Sequence, residues 1–205
     1  MRRALSPARP WSGYHLRMVG SGRETEIKLR FDSVADALGR LEPLGLTLIE
    51  ERAFEDNVLF DREQDPLAPA GRLIRLRRVG GRALLTYKAP TPASTRYKVR
   101  LEEETDVGDP QSIERILAGL GFAPIYRYQK HRTVYALDQL QICLDETPLG
   151  CFVELEGAPA AIDDTAARLG FGLDDYIVDS YRELHLCAAR ERGEEAGDML
   201  MPEGS

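Results

Sequence analysis

Along much of this chain every second residue is charged. The stretch Glu24-Thr25-Glu26-Ile27-Lys28-Leu29-Arg30-Phe31 sets Glu24, Glu26, Lys28 and Arg30 on one side and Ile27, Leu29 and Phe31 on the other. A strand with period two imposes that split. Arg75 and Arg77 flank Leu76, and 84–88 predicts a further strand. The stretch 98–104 repeats the first pattern, with Lys98, Arg100, Glu102 and Glu104 on one face. Lys130 and Arg132 share a face within 127–135. Gln141, Cys143 and Asp145 oppose Ile142 and Leu144, and Phe152, Glu154 and Glu156 oppose Val153 and Leu155. Helical patterns lie between these strands. Ser33 predicts an N-cap for a helix over 34–44, stopped at Gly45. Asp109-Pro110 opens a second helix over 110–120, ended by Gly121. A third spans 159–169 and ends at Gly170, and Asp174 or Asp175 starts a last one running to about Arg192. The endings Leu44-Gly45-Leu46, Leu120-Gly121-Phe122 and Leu169-Gly170-Phe171 look alike, a faint sign of internal duplication. Loops are expected over 65–71 and 89–95, and a disordered acidic tail over 193–205. No stretch reads as an interdomain linker.

Composition narrows the classes. The chain has 205 residues, 43% apolar and 30% charged, with 27 basic against 34 acidic side chains and a net charge of −7. The acidic balance argues against a nucleic-acid partner. Apolar runs fall far short of the roughly 20 residues of a membrane helix, so no membrane partner is expected. The first 20 residues carry Arg2, Arg3, Arg9 and Arg17 without an acid. That segment reads as a disordered extension before a domain over 21–192, with Met18 a candidate true start; a transit peptide is the other reading. Cys143, Cys151 and Cys187 are odd in number and lack metal-site spacing, which fits a reducing cytoplasm. His15, His131 and His185 are scattered and form no zinc or triad pattern.

Two architectures accommodate the alternation. In one, each charged face is the solvent side of an antiparallel sheet. In the other, the sheet curls with its charged face inward and helices cover the apolar outside. Recurrence of the charged faces in strand after strand, and their segregation into Glu-rich and Lys/Arg-rich strands, favour the second. The expected fold is therefore α+β, a closed antiparallel barrel that leaves no edge strand. Clustered cations on one wall suit a polyanion. Clustered carboxylates on another repel one another unless a divalent cation lies between them. A hard cation such as Mg²⁺ or Mn²⁺ takes oxygen ligands from carboxylates and phosphates together. A metal-bound ligand with several phosphates is the implied class.

In order along the chain these residues resemble the CYTH superfamily, the triphosphate tunnel metalloenzymes. Glu24-Thr25-Glu26-Ile27-Lys28 resembles its ExExK signature. Asn57-Val58-Leu59-Phe60-Asp61 is similar to the Asp-x-x-Phe-Asp strand, with Asn57 at the first Asp position. Leu73 to Arg77 resembles LRxR, Thr86-Tyr87-Lys88 the lysine strand, Arg100 to Glu104 RxExE, and Lys130-His131-Arg132 KxR. Leu144-Asp145 and 149–156 resemble the LD…LGxFxExE ending, and Ser180-Tyr181-Arg182-Glu183-Leu184 the Ser-Tyr-x-x-Leu helix of class IV adenylate cyclase-like members. The resemblance implies an eight-stranded barrel, a tunnel, with helices outside.

It also implies roles. Glu24, Glu26, Glu102, Glu104, Asp145, Glu154 and Glu156 are the candidate ligands for Mg²⁺ or Mn²⁺, with Glu24, Glu26, Glu154 and Glu156 closest to the ions. Lys28, Arg75, Arg77, Lys88, Arg100, Lys130 and Arg132 are the candidate triphosphate contacts. Arginine would donate in pairs to phosphate oxygens, lysine as a compact charge. Lys28, Glu26 and Glu156 are the catalytic candidates. Arg30, Lys98 and Glu103 are expected to be solvated or structural, Tyr181 to pack and His131 to be structural. The leading activity is a class IV adenylate cyclase-like conversion of ATP to cyclic AMP and pyrophosphate. The alternative is a triphosphatase acting on inorganic triphosphate, thiamine triphosphate or a nucleoside triphosphate, and a third is a non-catalytic binder of polyphosphate or nucleotide. Family members are often dimers, so a homodimer is a further expectation.

Overall fold

The computed structural model describes residues 22–91 and 96–204. The expected extension over 1–20 and most of the second predicted loop lie outside the described residues. The strands are β1 (Arg23–Phe31), β2 (Thr47–Asp61), β3 (Leu73–Val79), β4 (Arg82–Pro90), β5 (Lys98–Asp106), β6 (Ala123–Leu137), β7 (Leu140–Thr147) and β8 (Gly150–Glu156). They close into a barrel in the order β1-β5-β4-β3-β2-β6-β7-β8, with every pair antiparallel. β1 closes the ring by pairing both ways. Glu24 lies opposite Arg100 and Glu26 opposite Lys98 on β5, while Lys28 lies opposite Glu154 on β8.

Period two then sorts the side chains. Ile27, Leu29, Ile142 and Leu155 point outward and are fully buried beneath α1 (Val34–Leu41) and α3 (Pro159–Arg168), against Ala37, Leu41, Ile162 and Ala166. Each such aliphatic side chain stabilises the fold by about 1.5–3 kcal/mol. α2 (Pro110–Gly119) covers Phe60, Leu76 and Ala83 with Leu117. α4 (Tyr181–Glu191) joins Tyr181 to Leu59, Tyr126, Tyr128 and Phe152. The predicted caps form: Ser33 Oγ accepts from the Asp36 N–H at 3.1 Å, and Asp109 Oδ1 from the Ser112 N–H at 3.1 Å. Pro43 has no N–H, and past Leu41 the first helix tightens into a 3₁₀ turn that ends at Gly45 with φ +71°. Among the described residues no helix is long and apolar enough to cross a membrane.

Three expectations need correction. The last helix does not begin at Asp174 or Asp175, which form a 3₁₀ turn. Ile177 then exchanges two backbone hydrogen bonds with Lys28, at 2.9 and 3.0 Å, which holds the chain extended. The helix starts only where Ser180 and Glu183 form a reciprocal capping box. β2 is also far longer than its legible end around 57–61. Register shifts between Leu48 and Glu50 and between Glu50 and Ala53 interrupt the alternation there, so the pattern is hidden in the sequence. Finally, the acidic segment after Gly193 is docked. Met199 is buried and exchanges backbone hydrogen bonds with Arg127 and Gln129 of β6, at 2.9 Å each.

Candidate functional site

The inward face of the barrel is ionic on nearly every strand. A cavity of about 820 Å³ is lined by thirteen of the fourteen expected site residues: Glu24, Glu26 and Lys28 from β1, Arg75 and Arg77 from β3, Lys88 from β4, Arg100, Glu102 and Glu104 from β5, Lys130 and Arg132 from β6, and Glu154 and Glu156 from β8. The fourteenth, Asp145 of β7, has no exposed surface and lies behind the basic pair of β6. The alternation that could have faced water faces a lumen instead.

The acids gather around β1, β5 and β8. Lys88 Nζ donates to Glu24 at 2.6 Å and pairs with Glu102 at 2.7 Å. Lys28 Nζ donates to Glu26 at 3.1 Å and pairs with Glu154 at 3.4 Å. Glu156 accepts from Gln141 Nε2 at 3.1 Å. Burial raises the Glu24 carboxyl well above its ordinary range; Lys88 opposes this, and Glu26, Glu102 and Glu156 add to it. Glu156 is pushed up to about 7 by burial and by the charges of Glu26, Glu102 and Glu154. For Glu26, Lys28 and Lys98 outweigh burial and hold the carboxyl low. Among the described residues no three acidic, cysteine or histidine side chains stand together as a metal cage; lysines separate them. The chemistry of the set still fits a hard divalent cation, because it is all oxygen and burial with acidic neighbours raises the Glu24 and Glu156 carboxyls despite Lys88.

Across the lumen the cations gather on β3 and β6. Arg75 donates to Thr86 Oγ1 at 3.0 Å and to Glu104 at 3.3 Å, with Tyr128 Oη at 3.5 Å. Arg77 donates from Nε to Asn57 Oδ1 at 3.0 Å and pairs with Glu55 at 3.2 Å. Lys130 donates to Asp145 at 2.8 Å, and Arg132 donates to both oxygens of Asp145 at 2.6 Å and also to Glu154. Tyr181, at the start of α4, donates from its hydroxyl to Asp145 at 2.7 Å. Its ring lies 5.4 Å from the Lys28 ammonium and 5.1 Å from that of Lys130. Tyr181 therefore packs, as expected, and also bonds into the charged network.

Arg30 donates to the Leu149 carbonyl at 2.6 Å and covers the Phe152 ring, a structural role. His131 is buried against Phe54, 5.3 Å between ring centroids, as expected of a structural residue. Arg100 sits at the rim and donates to the Gly71 carbonyl at 2.5 Å. Lys98, expected to be solvated or structural, lines the lumen and pairs with Glu26 at 3.2 Å. Sequence reasoning missed Glu55, which lines the cavity from β2 and is 3% exposed. Glu55 lies in the regular register from Ala53 to Leu59, but Glu55, Asp56 and Asn57 are polar in a row, so alternation did not mark it; its period-two relation to Asn57 was the available signal. Tyr128 and Thr86, which contact Arg75, were not singled out, and Cys143 turns inward with Asp145 as the alternation implied, where burial pushes its thiol up to about 12.

The barrel has counterparts among solved structures. A protein of Vibrio parahaemolyticus, provisionally named an adenylate cyclase, superposes with a TM-score of 0.69 at 20% identity, over 80% of this chain and 98% of that one. A Pyrococcus horikoshii protein gives 0.66 at 25% identity, over 78% and 98%. A Hippeastrum protein, provisionally named an adenylyl cyclase and described as having a dominant triphosphatase activity, gives 0.56 at 19% identity, over 84% and 97%. No curated protein matches the chain. The profile of the CYTH domain matches residues 22–186, and the chain belongs to that family.

Proposed function

We propose that this protein is a divalent-metal-dependent triphosphatase, which binds a triphosphate within the barrel and hydrolyses its terminal phosphoanhydride. The segregated ionic lumen carries this reading. Lys28, Arg75, Arg77, Lys88, Lys98, Lys130 and Arg132 share the interior with Glu24, Glu26, Glu55, Glu102, Glu104, Asp145, Glu154 and Glu156, so acids at least match bases. An ionised triphosphate entering alone would make the interior strongly negative, and a metal–triphosphate complex would not. Arg75, Arg77, Lys130 and Arg132 grip the phosphate oxygens. Lys28 and Lys88 bridge the phosphate chain and the acids. Glu24, Glu26, Glu102, Glu154 and Glu156 would hold Mg²⁺ or Mn²⁺, which supplies charge neutralisation at the phosphate oxygens when bound. Asp145 orients basic side chains rather than the metal, since it has no exposed surface and sits behind Lys130 and Arg132, and Glu104 serves Arg75 and Thr86.

The cyclase reading rests on the helix at Ser180–Leu184. There Ser180 caps α4 and Tyr181 ties down Asp145, so both have structural duties. Product analysis separates the two. Purified protein with Mg²⁺ or Mn²⁺ is given inorganic triphosphate, thiamine triphosphate or ATP. Orthophosphate release, abolished by chelation, is the expected result. Cyclic AMP with pyrophosphate from ATP would establish the cyclase instead, and binding without turnover would leave a non-catalytic polyphosphate binder.

A further inference from the structure

Glu55 stands apart from the other inward carboxylates. It comes from β2, four strands from β1 in either direction around the ring, so it projects from the wall opposite Glu24 and Glu26. One of its oxygens pairs with Arg77 at 3.2 Å. The other, Oε2, is buried and makes no hydrogen bond. Its nearest cation, Lys130 Nζ, is 3.7 Å away and already donates to Asp145 at 2.8 Å. A buried acceptor without a donor costs about 1–3 kcal/mol, and a ligand that supplies the donor recovers it. Ionised phosphate oxygens cannot supply it, because they are acceptors of the same charge. A neutral O–H group can.

We propose that Glu55 accepts a hydrogen bond from the attacking water and aims it at the terminal phosphorus. This rests on the triphosphatase reading above. The cations beside Glu55 hold the phosphate, and a nucleophile enters opposite the leaving group in an in-line displacement. The water oxygen bonds to the terminal phosphorus. The bond from that phosphorus to the bridging oxygen breaks, and its electron pair stays on the departing diphosphate. As the water attacks, one of its protons passes to Glu55 and from there to a non-bridging oxygen of the new orthophosphate, so Glu55 ends as it began, ionised. Its environment suits that duty: against burial, Arg77 and Lys130 hold its carboxyl down to about 2. It is an acceptor throughout the working pH range.

The test is steady-state release of orthophosphate from inorganic triphosphate with Mg²⁺. Wild-type turnover comes first, because its absence refutes the triphosphatase reading and the role of Glu55 with it. Given turnover, Glu55→Gln is expected to lower kcat by about 100-fold while KM stays within about threefold, as loss of a group that handles the nucleophile's proton would. Glu55→Asp keeps the charge beside Arg77 and withdraws the acceptor, so it should also lower kcat by about tenfold or more. The aspartate variant decides the matter if the glutamine variant does not fold. A rise in KM at unchanged kcat would make Glu55 merely a holder of Arg77 and Lys130 and overturn the proposal. Wild-type kcat in a folded variant would overturn it too.

Discussion

Replacing Asp145 by asparagine removes one charge and almost no volume, from a side chain with no exposed surface. Four donated hydrogen bonds converge on it: one from Lys130 at 2.8 Å, two from Arg132 at 2.6 Å and one from Tyr181 at 2.7 Å. In the variant Lys130 keeps only Glu55, at 3.7 Å, and Arg132 keeps only Glu154. Removing one partner of a buried ion pair typically costs about 3–5 kcal/mol, because the surviving charge stays buried. The amide oxygen of asparagine still accepts one hydrogen bond, which returns about 1 kcal/mol. The expected loss is thus about 3 kcal/mol, a large part of the roughly 5–15 kcal/mol that a folded domain has. Urea unfolding of wild type and Asp145→Asn in a chelator, followed by circular dichroism, measures it. With a slope of about 2 kcal/mol per molar, the midpoint should fall by about 1.5 M. Inorganic triphosphate in the same buffer should stabilise the variant more than the wild type, since it brings new anions to the stranded bases. A loss below about 1 kcal/mol would refute the reasoning, because Lys130 and Arg132 would then not depend on Asp145.

Three further outcomes follow from the lumen. The unfolded Glu156 carboxyl titrates near 4.5 and the folded one near 7, so its proton favours the native state; this contribution is fully present below about pH 4.5 and is lost as pH rises through 7. Metal-free protein should lose up to about 3 kcal/mol across that window, and Glu156→Gln should show a shallower dependence in thermal melts at pH 5 and pH 8. Lys28→Ala should lower turnover of inorganic triphosphate by about 100-fold, through loss of a charge beside the reacting phosphates, whereas Arg30→Ala, which changes a contact to Leu149, should leave it near the wild-type value. Tyr181→Phe removes the hydroxyl bound to Asp145 and should cost about 1.5–3 kcal/mol in urea unfolding, the worth of a hydrogen bond to a charged group.

Much of this was already legible in the residues. Alternation along β1, β5 and β8 sorts Glu24, Glu26 and Lys28 from Ile27, Leu29 and Phe31 whatever the tertiary context, because successive strand side chains must point to opposite faces. Caps at Ser33 and Asp109 are equally local, each needing only the backbone three residues on. Period two cannot say whether a charged face meets water or a lumen. That was decided by β1 pairing with both β5 and β8, partners far away in the chain. Nor did local pattern single out Glu55, because Glu55, Asp56 and Asn57 are polar in a row and no apolar neighbour marks which of them turns inward. The partners of each charge also belong to the tertiary structure. Asp145 suits a metal ligand by type, and it became an anchor for Lys130, Arg132 and Tyr181 because two separate elements, β6 and α4, bring their donors within hydrogen-bond reach of it. Residue type and spacing set which chemistry the chain could hold, and distances across the barrel set which charge meets which.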